Sequence, residues 1–201
     1  ACGFDGVEIH GANGYLLDQF LKTGANQRTD DYGGSIENRA RLMLEVTRAV
    51  VDAVGHDRVG IRLSPVTPAN DIVDADPQPL FDHLLRQLAT LGLAYVHVIE
   101  GATGGPREVE GRPFDYAALQ AAYRQAGGHG AWMVNNGYDL ALAEDAIDSG
   151  RADLVAFGKA FISMPDLTER MRRGGPYQAL DKATMYGGGA KGYTDYPGLQ
   201  D

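Results

Sequence analysis

Short apolar, β-branched runs alternate along the chain with stretches whose apolar residues recur every three or four positions. The runs read as strands at Gly3–Ile9, Arg58–Leu63, Ala94–Glu100, Ala131–Asn135 and Leu154–Phe157. The clearest helix is predicted from about Ile36 to Val54, with Ser35 as N-cap and Leu42, Leu44, Val46, Val50 and Val51 on the buried side. Further helices are predicted near Pro79–Leu91, Asp115–Gln125 and Leu140–Ser149, with a shorter one after Pro165. Strand–helix alternation with both sheet faces buried implies a parallel β/α fold.

Five strands suit two architectures. One is an open doubly wound sheet. The other is a (β/α)8 TIM barrel, which needs eight strands and typically ~250 residues. Polar residues cluster just after nearly every strand, as they do at the C-terminal face of a barrel. The last two strands are followed by Asn135-Asn136-Gly137 and Gly158-Lys159, small and polar like a phosphate site. Barrel enzymes often hold phosphate on the loops after their seventh and eighth strands. The chain is therefore expected to carry about strands four to eight of a partial barrel, residues 1–201 forming the C-terminal part of one domain. It opens on Ala1, and its first strand starts almost at once, so upstream structure is expected.

Composition narrows the function. The 201 residues are 44% hydrophobic and 22% charged, enough for a sizeable core. The net charge of −9 argues against nucleic acid or an anionic membrane as partner, because no basic excess exists to release counterions. Cys2 is the only cysteine, which excludes an internal disulfide and a cysteine-ligated metal or iron–sulfur site. No apolar run approaches the ~20 residues of a membrane span. A cytoplasmic location and a small-molecule substrate are the expectation, with no metal.

The chemistry concentrates at the end of the first strand. His10, Asn13 and Tyr15 leave it within six residues on a Gly-rich turn. Two donors and a phenol so placed can hold a carbonyl oxygen and deliver a proton to a nearby carbon. On the second strand, Arg62 lies between Ile61 and Leu63, so the two-residue period sends it to the opposite face. A buried arginine needs an acceptor or an anion. An ion pair with Glu8 or Glu100 is one candidate.

Longer motifs then appear. They are His10-Gly11-Ala12-Asn13-Gly14-Tyr15, Asp18-Gln19-Phe20-Leu21, Asn26 to Ser35, Glu37-Asn38-Arg39, Val59 to Pro65, Ala156-Phe157-Gly158, Pro165-Asp166-Leu167 and Tyr186 to Pro197. Together they resemble the old yellow enzyme family of FMN-dependent ene reductases along the whole chain. The likeness is greatest to bacterial reductases of unsaturated carbonyls, N-ethylmaleimide and nitrate esters, and to plant oxophytodienoate reductases. It covers only the second half or so of such an enzyme.

The resemblance implies FMN as cofactor, with NADPH or NADH as reductant. It implies His10 and Asn13 as donors to the substrate oxygen, Tyr15 as proton donor, and Tyr186 lining the substrate side. It implies Arg62 at the flavin's pyrimidine edge, and Asn136, Gly137, Gly158 and Lys159 at its phosphate, where relatives usually carry arginine in place of Lys159. Arg28, Asp30, Tyr32, Asn38 and Arg39 read as scaffold. His97 faces inward without an assigned role. A rival reading is an incomplete or split half-barrel, binding phosphate or FMN weakly and inactive without an N-terminal half or a homo-oligomeric partner. A flavin-free sugar-phosphate barrel leaves His10, Asn13 and Tyr15 unexplained.

Overall fold

The computed structural model describes residues 2–199, and the chain divides into two compact units, Ala1–Val155 and Ala156–Asp201. The strands are β1 (Val7–Gly11), β2 (Val59–Leu63), β3 (Tyr95–Ile99), β4 (Ala131–Asn135) and β5 (Leu154–Ala156), in sheet order β1-β2-β3-β4-β5. The pairings of β1 with β2, β2 with β3 and β3 with β4 are parallel. Between them in the first unit lie α1 (Leu16–Leu21), α2 (Ile36–Val54), α3 (Pro77–Ala89), α4 (Tyr116–Gln125) and α5 (Leu140–Asp148). The second unit contains α6 (Lys159–Ser163), α7 (Leu167–Arg173) and an irregular tail.

The sheet is apolar on one side only. Ile9, Ile61, Leu63, Val96, Val98, Trp132 and Val134 are buried with Leu80, Phe81, Leu84, Leu85 and Leu88 of α3 in the core. The other face carries Glu8, His10, Arg62 and His97, of which only His97 is buried. The first strand also starts later than expected and includes His10 and Gly11. Gly3–Gly6 form no ladder, and Phe4 among them is exposed.

Local signals explain most helix limits. Ser35 Oγ accepts from Asn38 N at 3.3 Å, and Gly55 ends α2 at a φ of 101°. Asp115 and Asp139 cap α4 and α5 in the same way, at 2.8 and 2.9 Å. Pro77 opens α3, two residues before the expected start. The buried stripe of α2 is Arg39, Ala40, Met43, Leu44 and Thr47, while Leu42, Val46, Val50 and Val51 are only half-buried. Thr47 can sit inside because its hydroxyl donates to Met43 O at 2.6 Å.

The sequence pattern did not predict α1. Its six residues are too few for a clear period, and it is held by a buried ion pair instead. Lys22, 1% exposed, donates from Nζ to Asp18 Oδ2 at 2.9 Å and to Ser64 O at 2.8 Å. Asp18 is fully buried and also accepts from Gly14 N at 2.8 Å. Burial pushes the Asp18 carboxyl above its usual range, and the Lys22 charge offsets only part of that. Replacing Lys22 with Met should therefore destabilise the fold by about 3–5 kcal/mol, because a buried carboxylate loses its partner. Urea unfolding at neutral pH measures this, and Asp18→Leu combined with Lys22→Met should recover much of the loss.

Candidate active site

Parallel register builds a polar row. His10 pairs with Arg62, Arg62 with His97, and His97 with Met133, so these side chains share one sheet face. His97 is buried, and its Nδ1 lies 2.9 Å from Glu8 Oε2. The Tyr95 phenol lies near Glu8. Burial and the Glu8 charge push that phenol up to about 12. Tyr95 fits there because its register partner is Gly60, where a Cβ would lie 2.2 Å from the ring.

Neither of the two candidate carboxylates forms an ion pair with Arg62. Glu8 is bonded to His97. Glu100 accepts from Arg107 Nη2 at 2.6 Å and from the Tyr138 hydroxyl at 2.7 Å. Arg62 is half-buried and donates from Nη2 to Asn135 Oδ1 at 2.9 Å, while its Nε finds no partner among the described residues. Burial lowers its pKa, and the nearby Glu8 charge only partly restores it. The row thus presents a guanidinium with donor capacity to spare. Buried His97 Nε2 is likewise without a partner.

At the C-terminal edge of β1 the chain enters a fixed turn. Asn13 and Gly14 adopt φ of 58° and 73°. A Cβ on Gly14 would lie 2.5 Å from Ala69 O, so both conformation and space require glycine there. Asn13 N donates to Ser64 Oγ at 2.7 Å, and Asn13 O accepts from Asn70 Nδ2 at 3.0 Å. With its backbone held at both ends, Asn13 keeps only side-chain freedom. Its Oδ1 accepts from Thr103 Oγ1 at 2.7 Å, which leaves the amide nitrogen as an unused donor.

His10 and Tyr15 stand beside it, their ring centroids 5.3 Å apart and inclined at 53°. Tyr15 is 58% exposed at the start of α1. Burial and the Arg62 charge hold His10 below the usual histidine range, so the imidazole is neutral at pH 7 and donates through one N–H. His10, Asn13 and Tyr15 thus leave β1 on one short segment. The arrangement can bind an oxygen that gains charge and offer a phenolic proton close by.

The Asn136 side chain is engaged within the protein. Its Nδ2 donates to Glu100 O at 2.7 Å and Ala102 O at 2.9 Å, and its Oδ1 accepts from Gly104 N at 2.9 Å. The side chain is thus committed to the loop after β3, and only its backbone remains for a ligand. Gly137 is exposed at a φ of 69°. In the second unit, Gly158 precedes α6, Lys159 opens it and is exposed, and Tyr186 is 90% exposed. The scaffold residues behave as expected: Arg39 bonds Leu21 O and Asp74, Tyr32 donates to Glu45, and Asn38 donates to Gly33 O. No cluster able to hold a metal occurs among the described residues. No helix of the described chain is long and apolar enough to cross a membrane.

Sequence reading named Glu8 and His97 without pairing them, and it missed Thr103 beside Asn13. Residues 8 and 97 lie in different strands, and nothing local pairs them. The only signal was a charged residue and a histidine, each inside an apolar run.

Comparison with known proteins places this geometry. Residues 1–178 match the family described as NADH:flavin oxidoreductase / NADH oxidase. The chain is 45% identical over 197 residues to a probable flavin mononucleotide-dependent alkene reductase of Leishmania infantum, covering 98% of this chain and 51% of the relative. It is similar to the old yellow enzyme of Trypanosoma cruzi, with TM-score 0.88 and 40% identity over 98% of this chain and 51% of the other. It is also similar to morphinone reductase in complex with tetrahydroNAD, with TM-score 0.87 and 43% identity over 99% and 52%. The chain thus spans about half the length of these relatives, and its strands and helices are those of a partial (β/α)8 barrel.

The Glu8–His97 contact carries a pH signature. Burial alone would raise the Glu8 pKa, but the His97 bond and charge, the Tyr95 hydroxyl and Arg62 together lower it. A carboxyl depressed by folding stabilises above its unfolded value of about 4.3, and that contribution is lost as pH falls through the folded value. Glu8→Gln should therefore be less stable than wild type at pH 7, and the gap should narrow below about pH 4.3. Urea melts across that range test this, and a gap that stays constant with pH would remove the pairing as its cause.

Proposed function

This chain belongs to the NADH:flavin oxidoreductase / NADH oxidase family, and on that basis we propose that it carries the substrate-activating residues of an FMN-dependent ene reductase. The substrates are activated C=C bonds, in α,β-unsaturated carbonyls and maleimides, with nitro compounds and nitrate esters as further acceptors. The reductant is NADPH or NADH. A nicotinamide reductant is supported by the bound tetrahydroNAD of the related morphinone reductase.

The observation that carries this reading is the turn after β1. There a neutral imidazole, an amide nitrogen with no other partner and an exposed phenol occupy six residues. Reduction at the β-carbon of an unsaturated carbonyl pushes charge onto the carbonyl oxygen. His10 and Asn13 Nδ2 donate to that oxygen, and their bonds strengthen as the charge grows, so they favour the transition state over the ground state. Tyr15 protonates the α-carbon, a task a phenol can perform when positioned beside an enolate-like carbon.

The residues present fit FMN. Arg62 offers unpaired donor capacity on the half-buried polar row, suited to an acceptor-rich ring edge. The Asn136-Gly137 backbone is suited to a phosphate. Gly158 and Lys159 are assigned to the phosphate from their motif, Lys159 as a point charge without the bidentate fork of an arginine. Tyr186 is assigned to the substrate side on the same ground. When bound, FMN supplies the hydride transfer that couples the nicotinamide to the C=C bond.

Tyr15→Phe tests the reading in the flavin-loaded protein. Stopped-flow reduction by NADPH should proceed at the wild-type rate, because it needs no proton from Tyr15. Reoxidation by an unsaturated ketone should slow by about 10²-fold or more. Equal losses in both half-reactions, or none in the second, would refute the proton-donor role.

A further inference from the structure

Thr103 sits in the loop after β3, ninety residues from Asn13 in sequence, yet its hydroxyl is 2.7 Å from Asn13 Oδ1. A second hydroxyl, Thr67 Oγ1, lies 3.2 Å from Thr103 Oγ1 and 2.7 Å from Gly101 O. Each hydroxyl has one proton to give. The three contacts therefore admit two orderings with opposite consequences for the substrate.

In the first ordering, Thr67 donates to Gly101 O and Thr103 donates to Asn13 Oδ1. The amide then turns its nitrogen outward, and the site offers a donor. In the second, Asn13 Nδ2 donates to Thr103, Thr103 to Thr67, and Thr67 to Gly101 O. The amide then turns its carbonyl outward, and the site repels a developing oxyanion. The two short contacts favour the first ordering, since a hydroxyl proton goes to the nearer and more basic acceptor. A carbonyl or amide oxygen is such an acceptor, and a second hydroxyl 3.2 Å away is the weaker one. The Asn13 backbone is fixed by Ser64 and Asn70, so the amide flip is the remaining freedom.

The loop is itself fixed. Asn136 binds Ala102 O and Gly104 N on either side of Thr103. Ala102 N donates to Pro106 O at 2.9 Å, and the Tyr116 hydroxyl accepts from Gly101 N at 2.7 Å. Thr103 is thus held on both flanks although it is solvent-exposed.

We propose that Thr103 is a positioning residue that sets the polarity of the oxygen site by fixing the Asn13 amide with its nitrogen toward the substrate. This rests on Asn13 acting as the oxygen donor. The test titrates 4-nitrophenolate, an oxyanion probe, into the flavin-loaded protein by calorimetry. Asn13→Ala should weaken binding, and Thr103→Val should weaken it by roughly five- to tenfold, the worth of one directed hydrogen bond. Thr103→Ser should restore wild-type affinity. Thr103→Val placed on Asn13→Ala should add nothing, because a positioning residue has nothing left to position. Thr67→Val, which disturbs the same loop but removes the rival acceptor, should not weaken binding. Neutron diffraction should show the Asn13 nitrogen outward in wild type and flipped or mixed in Thr103→Val.

If Asn13→Ala binds normally, the oxygen-donor reading falls and the proposal with it. If Asn13→Ala binds weakly while Thr103→Val binds normally, only the proposal falls. Additive losses in the double variant, an equal loss in Thr67→Val, or an unflipped amide in Thr103→Val would trace the effect to loop integrity and overturn the assignment.

Discussion

The buried Asp18–Lys22 pair is the constraint on which the reactive turn depends. One carboxylate oxygen accepts from both Gly14 N and Lys22 Nζ, and the same ammonium reaches Ser64 O at the end of β2. Ser64 in turn accepts Asn13 N. Four bonds thus tie the turn after β1 to its own helix and to the neighbouring strand. The raised carboxyl of Asp18 shows that burial outweighs the attraction of Lys22. A pair like this is weak evidence for stability, since apolar replacements are often as good. Its physical value is geometric: an apolar pair could fill the space but could not hold Gly14 N, Asn13 and Ser64 at fixed angles.

The second constraint is register. A shift of one residue between β1 and β2 would send Arg62 away from His10 and turn Ile61 toward the polar face. The apolar side prevents this, because Ile9, Ile61 and Leu63 are buried against α-helices and cannot be turned outward cheaply. The polar row is therefore positioned by the apolar face behind it. Its charges are then divided by pairing. Glu8 is taken by His97, and Glu100 by Arg107 and Tyr138, so Arg62 is left without a carboxylate of its own. That leftover charge also helps keep His10 neutral.

Much of this was legible in the sequence, for reasons that differ by element. The start of α2 followed from Ser35, which acts through the backbone next to it. The stretch from His10 to Tyr15 was legible because its three reactive groups are adjacent in sequence. Short α1 was not, since six residues give no period and its anchor, Lys22, looks like any surface lysine. The buried side of α2 was misjudged because Thr47 and Ala40 displace larger apolar residues from the interface. Asn136 illustrates the remaining limit. Its neighbours suggested a phosphate turn, and only the fold reveals that its amide is occupied by three groups of another loop.

Polar bonds join the loops at the C-terminal edge to one another. Thr103 bonds to Asn13, Asn70 to Asn13 O, Asn136 to the 101–105 loop, and Thr67 to Gly101 O. Each of these bonds is directional, so the loops hold angles that a hydrophobic contact would leave free. The division of labour follows from the chemistry. Apolar burial is additive and non-directional, so it suits the helices and the back of the sheet. An oxygen site needs donors aimed at one point, and a flipped amide reverses its effect. The directional bonds thus sit on the loops, while the strand ends stay where the register and the apolar core put them.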